Sequence, residues 1–512
     1  MTNTALPSNQ MVRPTTQELK HSSCITQTPR LASNSDKACP GLESLQCPTP
    51  SVRDLLHSNA EPELADSQQI QANLVYAVKE FEELSAQWPE SQRTRHEGAI
   101  RLHRSALSVV RRLPNDILRL IFLAVVEDVK PRDRLDTKAG AWSVSRVCAR
   151  WRDVALSTPS LWSTIYLESR QSPWLTKLPM PTVNAIVDTC LFRAGRAPID
   201  LSVSSSLGDH SRLTSVCPTI CLHASHWNYV ALCPLTDLVL EYLATVKNVP
   251  LLKHVSLVIA TASIDPRDKR LDFLLSAPRL QHVCLVYPCG EDVPLLQHFP
   301  WKQLLSFTLI AEAPVLDLAE VLHRCTKLLN LSINCPDFIF TTKSPVVLPC
   351  LTSLTLWLRR VIADLQYVTV PSLKYLTLGA FAPDIDTETS VSMILEHSRC
   401  PLLEFHYYCL DVSVGVIKGY LKAAPTLRKL ALDIFRLGVE NQRELLLMLT
   451  CREDGDSEEV IVPALEDLTI NLAYRRHCLA SDFTELSDAM IASRSARGNF
   501  KAQISMDGEF SP

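Results

Sequence analysis

From Leu113 onward the chain reads LPNDILRLIFLAVV, with apolar residues at Ile117, Leu118, Ile121, Phe122 and Val125. Spacings of three and four residues place such positions along one stripe of an amphipathic helix. Pro114 fits the first helical position, where its missing N–H costs nothing. Asp116 falls in the first turn, where the helix dipole favours an acid. A polar run, EDVKPRDRLDTKAG, interrupts the pattern as a loop. Helical spacing returns over 142–156, with Val144, Val147, Cys148, Trp151 and Val154 on one side, and TPSLWSTIYL then reads as a turn into a short strand. Upstream, Ile70, Leu74, Ala77, Val78, Phe81 and Leu84 predict another helix, which Pro89 ends. Ile100, His103, Leu107 and Val110 predict a further one.

Beyond residue 230 the period changes. The motif L-x-x-L-x-L, with Val, Ile or Phe tolerated, recurs with leading residues Leu235, Leu252, Leu280, Leu304, Leu328, Leu351, Leu373, Leu402, Leu427 and Leu465. From Leu252 to Leu373 the spacings are 28, 24, 24, 23 and 22 residues, the period of a leucine-rich repeat. Within each copy the last two apolar positions alternate with polar ones, as in a strand with one face buried. Prolines 250, 278, 349, 371, 425 and 463 stand two residues before the first leucine, where they end the preceding segment without costing a ladder hydrogen bond. VSMILEHSRC and GVIKGYLKAA between copies read as helices. One repeat cannot bury its apolar face alone, but a stack can. The expected architecture is α/β: a curved parallel sheet with outer helices, built as an irregular solenoid.

Composition narrows the functions. The net charge is −4, which does not favour general nucleic-acid binding. No GxGxxG, GxxxxGK[ST], GxSxG, HExxH or EF-hand loop occurs, so no catalytic or cofactor motif stands out and no cofactor is expected. The N-terminus lacks the apolar core of an export signal, and no uncharged apolar run is long enough for a membrane span. The 17 cysteines are then expected reduced, in cytoplasm or nucleus. Cys217, Cys221, His223 and His226 cluster in CPTICLHASH. Read as a strand, alternation puts Cys221 and His223 on one face, and the spacing fits no standard zinc finger, so no metal site is assigned.

Segments 113–126 and 145–162 together resemble the F-box. The matching residues are Leu113, Pro114, Asp116, Ile117, Leu118, Ile121 and Phe122, then Val147, Cys148, Trp151, Arg152, Leu161 and Trp162. Asn115-Asp116 departs from the Pro-Glu or Asp-Glu common in the family. The long insert between the two helices, the preceding helix and the leucine-rich tail look like fungal F-box-like proteins. The resemblance implies a small helical module that docks on the Skp adaptor of a cullin–RING ubiquitin ligase. It implies that Leu113, Pro114, Ile117, Leu118, Ile121, Phe122, Val147 and Trp151 form the adaptor-binding set. Residues 93–153 carry 14 Lys and Arg against 7 Asp and Glu, a basic stretch suited to an acidic adaptor.

The chain is therefore read as a disordered region at 1–62, a helical segment at 63–112 with room for a short coiled coil, and an F-box-like domain at 113–167. A connecting region at 168–234 leads into leucine-rich repeats at 235–490 and a tail at 491–512. The expected role is the substrate receptor of an SCF-type ligase, acting by proximity and not as an enzyme. The alternative is a non-catalytic leucine-rich-repeat scaffold whose F-box-like segment is only structural. Target recognition is expected on the concave strand face, at His254, His282, Asn330, Trp357, Tyr375, Lys429 and Asp433, with an unidentified protein as partner. No nucleic acid or membrane partner is expected.

Overall fold

The computed structural model describes residues 55, 61–130, 133–168, 177–204, 211–259, 269–287, 299–316, 318–336, 338–339, 344–358, 366–380, 385–409, 412–434, 437–451, 460–472 and 482–505. The expected disorder of 1–62 falls almost wholly outside these residues. The chain divides into two compact units, Met1–Arg112 and Leu113–Pro512.

In the first unit, helices α1 (Leu64–Leu84) and α2 (Glu90–Ala106) pack on each other through Ile70, Ala77, Ile100 and Ala106, all buried. Trp88, in the connection, lies 4.2 Å from the His96 ring. The His103 imidazole bonds back to the Ala99 carbonyl at 2.8 Å, so this buried histidine serves its own helix.

The second unit opens with helix α3 (Asn115–Asp128). The stretch read as one helix over 142–156 is two, α4 (Gly140–Val144) and α5 (Ala149–Leu156). Cys148 makes the break: its backbone is extended and its Sγ accepts from the Trp151 N–H at 3.3 Å, capping α5.

A sheet of thirteen strands follows: β1 (Thr164–Glu168), β2 (Ile199–Ser204), β3 (Trp227–Leu235), β4 (His254–Ile259), β5 (His282–Tyr287), β6 (Ser306–Ala311) and β7 (Asn330–Cys335). It continues with β8 (Ser353–Leu358), β9 (Tyr375–Ala380), β10 (Glu404–Cys409), β11 (Lys429–Ile434), β12 (Asp467–Leu472) and β13 (Lys501–Ser505). Every pairing in it is parallel, and the order across the sheet is the order along the chain. Each strand therefore packs chiefly on its predecessor and successor, as in a one-dimensional stack.

The motif explains the stack. Leu252, Leu280, Leu304, Leu328, Leu351, Leu373, Leu402 and Leu427 are all 0 % exposed. Truncating one such leucine to alanine costs about 2–5 kcal/mol. Connecting helices α6 (Met180–Ala194), α7 (Ser211–Leu222), α8 (Asp237–Leu243), α9 (Leu318–Arg324), α10 (Ile385–Ser398), α11 (Val414–Lys422), α12 (Val439–Leu449) and α13 (Phe483–Ser495) contribute to the same core.

Three expectations need correction. Leu235, Leu238 and Leu240 do not form a repeat strand: Leu238 and Leu240 lie in α8, started by Thr236, whose hydroxyl accepts from the Val239 N–H. The sheet begins earlier, inside the F-box-like segment, and its strands β2 and β3 lie within 168–234. In β1 and β3 tryptophan takes the leading place: Trp162/Ile165/Leu167 and Trp227/Val230/Leu232 repeat the motif, with Trp162 and Trp227 buried. At the other end, β13 lies within the expected tail and pairs with β12.

The helical segment and the sheet share one continuous core, running from Leu118 and Phe122 through Trp162 to Val183 and beyond. The Trp162 indole N–H donates to the Ala155 carbonyl at 2.9 Å. Arg193 of α6 places its guanidinium over the rings of Trp162 (4.3 Å) and Trp142 (4.7 Å). Burial pulls the Arg193 pKa below its ordinary value.

Candidate functional site

Helix α3 is apolar on two sides. Leu118, Phe122 and Val126 face inward, exposed by 0, 0 and 5 %. Ile117, Leu120, Ile121 and Val125 face out, exposed by 42, 62, 39 and 40 %. At about 100° per residue the outward four, with exposed Ala124, fall within an arc of about 140°. A solvent-facing apolar arc on a helix whose core face is already filled is a candidate contact surface.

The expected adaptor-binding set divides accordingly. Pro114, Ile117, Ile121 and Val147 are exposed, while Leu113 and Trp151 are half-buried against the core. Leu118 and Phe122, expected on the contact face, are sealed in the core and correct that expectation. Phe122 instead supports Trp151, with ring centroids 4.9 Å apart. Pro114 is the residue before the helix, with φ −55° and ψ 151°, rather than its first helical residue.

Arg150 was not singled out by the sequence patterns, yet it fixes the entry to α3. Its guanidinium donates to the Leu113 carbonyl and to Asn115 Oδ1, the latter from Nε at 3.1 Å and from Nη2 at 3.0 Å. These charge-assisted bonds pin the Leu113-Pro114-Asn115 approach from α5. Periodicity cannot find such a residue, because its role lies in contacts with a segment 35 residues away in sequence.

The sheet's exposed face carries the expected target-binding residues. His254, His282, Trp357, Lys429 and Asp433 are half-buried there, and Asn330 and Tyr375 are exposed, alternating with core positions. They do not make one cluster. His254 and His282 stack on neighbouring strands at 4.1 Å, with Tyr229 6.1 Å from His254. Burial lowers both histidine pKa values, and for His254 the charges of His282 and Lys253 add to this while Asp200 opposes it.

Trp357 and Tyr375 lie on neighbouring strands but at different levels, since Tyr375 pairs with Ser353 and Trp357 with Gly379. The aromatic neighbour of Trp357 is Tyr408, 5.1 Å away and tilted 33°. Beyond Tyr408 at the same level come Asp433 and then Asn471. The Asn471 amide donates to Asp433 Oδ1 at 2.5 Å. Tyr408 was missed because β10 carries the motif only weakly, and Gly379 because a glycine's role there depends on the neighbouring strand's side chain.

Cys217 and Cys221 lie on α7, a helix rather than the strand expected, with Sγ atoms 3.8 Å apart. Among the described residues no group of His, Cys, Asp or Glu is placed to hold a metal ion. Among them also, no helix is long and apolar enough to cross a membrane.

Comparison with known proteins adds two findings. A family model described as F-box-like matches residues 110–168. An FBD-associated F-box protein of Arabidopsis thaliana is 28% identical over 182 residues, covering 35% of this chain and 42% of that relative. The matched part thus spans less than half of the relative's length. The F-box-like domain ends on β1, so its last residues are also the sheet's first strand.

Proposed function

We propose that this chain is the target-receptor subunit of an SCF-type cullin–RING ubiquitin ligase. The outward arc of α3 and the neighbouring Val147 dock on a Skp-type adaptor, and the exposed sheet face holds a protein to be ubiquitinated. The carrying observation is that arc: Ile117, Leu120, Ile121 and Val125 stay solvent-facing in the segment that matches the F-box-like family. A basic module also suits an acidic adaptor. In this reading the chain contributes position rather than chemistry: it raises the local concentration of target lysines near the ubiquitin-charged enzyme. It works in cytoplasm or nucleus, where such ligases act.

A second reading rests on the shared core. Because the helical segment and the first strand of the sheet share one core, the helices also suit the role of the end cap that an open stack requires. A leucine-rich-repeat scaffold that kept these helices only as a cap would look the same inside.

Co-expression of the full chain with a Skp adaptor separates the two. The receptor reading expects a stable complex recovered through either partner. An adaptor that never co-purifies with a folded chain leaves the scaffold.

A further inference from the structure

The level of the sheet that holds Trp357 has been cleared for its ring. A Cβ built on Gly379 would stand 2.1 Å from an indole carbon of Trp357, so the indole lies directly against the glycine backbone. Glycine within a strand is costly, and often marks a place where another group approaches closely. Here that group is the ring, which reaches across β9 to meet Tyr408 on β10.

One strand further, Asp433 is held by Asn471 through a short hydrogen bond. Burial raises the Tyr408 pKa, and the nearby Asp433 carboxylate raises it further, so phenol and carboxylate feel each other's field. Four residues earlier along these strands and the next, Glu404, Lys429, Asp467 and Lys501 lie side by side, acids and bases in alternation, so that row balances itself.

Two aromatic faces beside an oriented carboxylate complement a cation. An aromatic face attracts a cation through its quadrupole, and a carboxylate completes the pairing. Resting on the receptor reading, we infer that Trp357, Tyr408 and Asp433 form a cradle for a lysine or arginine side chain of the target protein. Gly379 and Asn471 are positioning residues: one lets the indole lie across the sheet, the other aims the carboxylate.

The test uses the full-length chain and a bead-bound library of random heptapeptides, with captured peptides sequenced and resynthesised for affinity measurement. Captured peptides should be enriched in Lys or Arg. Replacing that residue by Gln, or making Trp357→Ala or Asp433→Asn, should each weaken binding about tenfold. Asp433→Asn is nearly isosteric, so it keeps the test decisive if Trp357→Ala disturbs the fold. Captured peptides without basic residues overturn the inference, as do basic peptides that bind both variants as tightly as the parent chain. An empty capture overturns it too. Adaptor co-purification is scored on the same preparations. Lost basic selection with the adaptor retained removes only the cradle. Basic selection without any adaptor removes the receptor reading and leaves the cradle standing.

Discussion

The imidazoles of His254 and His282 lie 4.1 Å apart and only 9° from parallel, on adjacent strands of a parallel ladder. Both pKa values are lowered, so the native state favours neutral rings. An unfolded histidine titrates near 6.5, and below that pH the unfolded chain binds more protons than the native one. The contribution is therefore fully present above about pH 6.5 and is lost as pH falls through that value toward the lower folded ones. Urea midpoints measured between pH 7.5 and 5.5 should fall more steeply for the parent chain than for His254→Gln/His282→Gln. Equal slopes would show that the pair does not resist protonation.

Phe122 is fully buried and Trp151 leans on it. Phe122→Ala should cost about 3–5 kcal/mol. Trp151→Ala should cost less, since that ring is half-exposed. Both should destabilise the sheet as well as the helices, because no core boundary separates them. Denaturation followed by circular dichroism of the full chain checks this. A sheet transition unmoved by Phe122→Ala would mean the cores are independent.

The outward arc gives a contrast within a single helix turn. Ile117→Glu with Ile121→Glu should abolish adaptor co-purification while changing stability by no more than about 0.5 kcal/mol per site. Leu118→Ala, one residue from the first of these, should cost about 2–5 kcal/mol. An adaptor complex that survives the double glutamate variant places the contact elsewhere.

Arg494 is 5 % exposed and donates to three backbone carbonyls: Leu449 at 2.6 Å, Ile461 at 2.9 Å and Val462 at 3.1 Å. Arg494→Met strips these acceptors of their charged donor, at about 1.5–3 kcal/mol for each bond that solvent does not replace. Limited proteolysis should then release fragments from the C-terminal strands first. A digestion pattern identical to the parent's would contradict that role.

The repeat is legible from Leu252 onward, where leucine leads two alternating apolar positions, but the same pattern misleads at Leu235, where the Thr236 cap turns Leu238 and Leu240 into a helix. It was illegible where Trp162 and Trp227 take the same place, and at β2, where exposed Pro198 occupies it. The α3 surface could not be divided from sequence, since apolar residues cover most of that helix. Ile117 and Leu118 are equivalent in hydropathy, and only the positions of α4, α5 and the turn at Pro159–Leu161 decide which one is covered. The Trp357–Tyr408 contact needed the register, which carries Trp357 past Tyr375 to a ring two strands away.

Trp162 closes the helical segment and opens the first repeat, and this has a consequence for reach. A flexible tether lets a bound cargo sample many orientations, at an effective concentration that falls as the tether lengthens. Here no tether intervenes, so on the receptor reading a cargo held by the sheet would keep one bearing relative to α3. The reachable lysines would then form a narrow sector, set by how many repeats lie between Trp162 and the bound residue. Deleting a single repeat would shift that sector by one strand spacing, about 4.8 Å, while leaving both contact surfaces chemically unchanged.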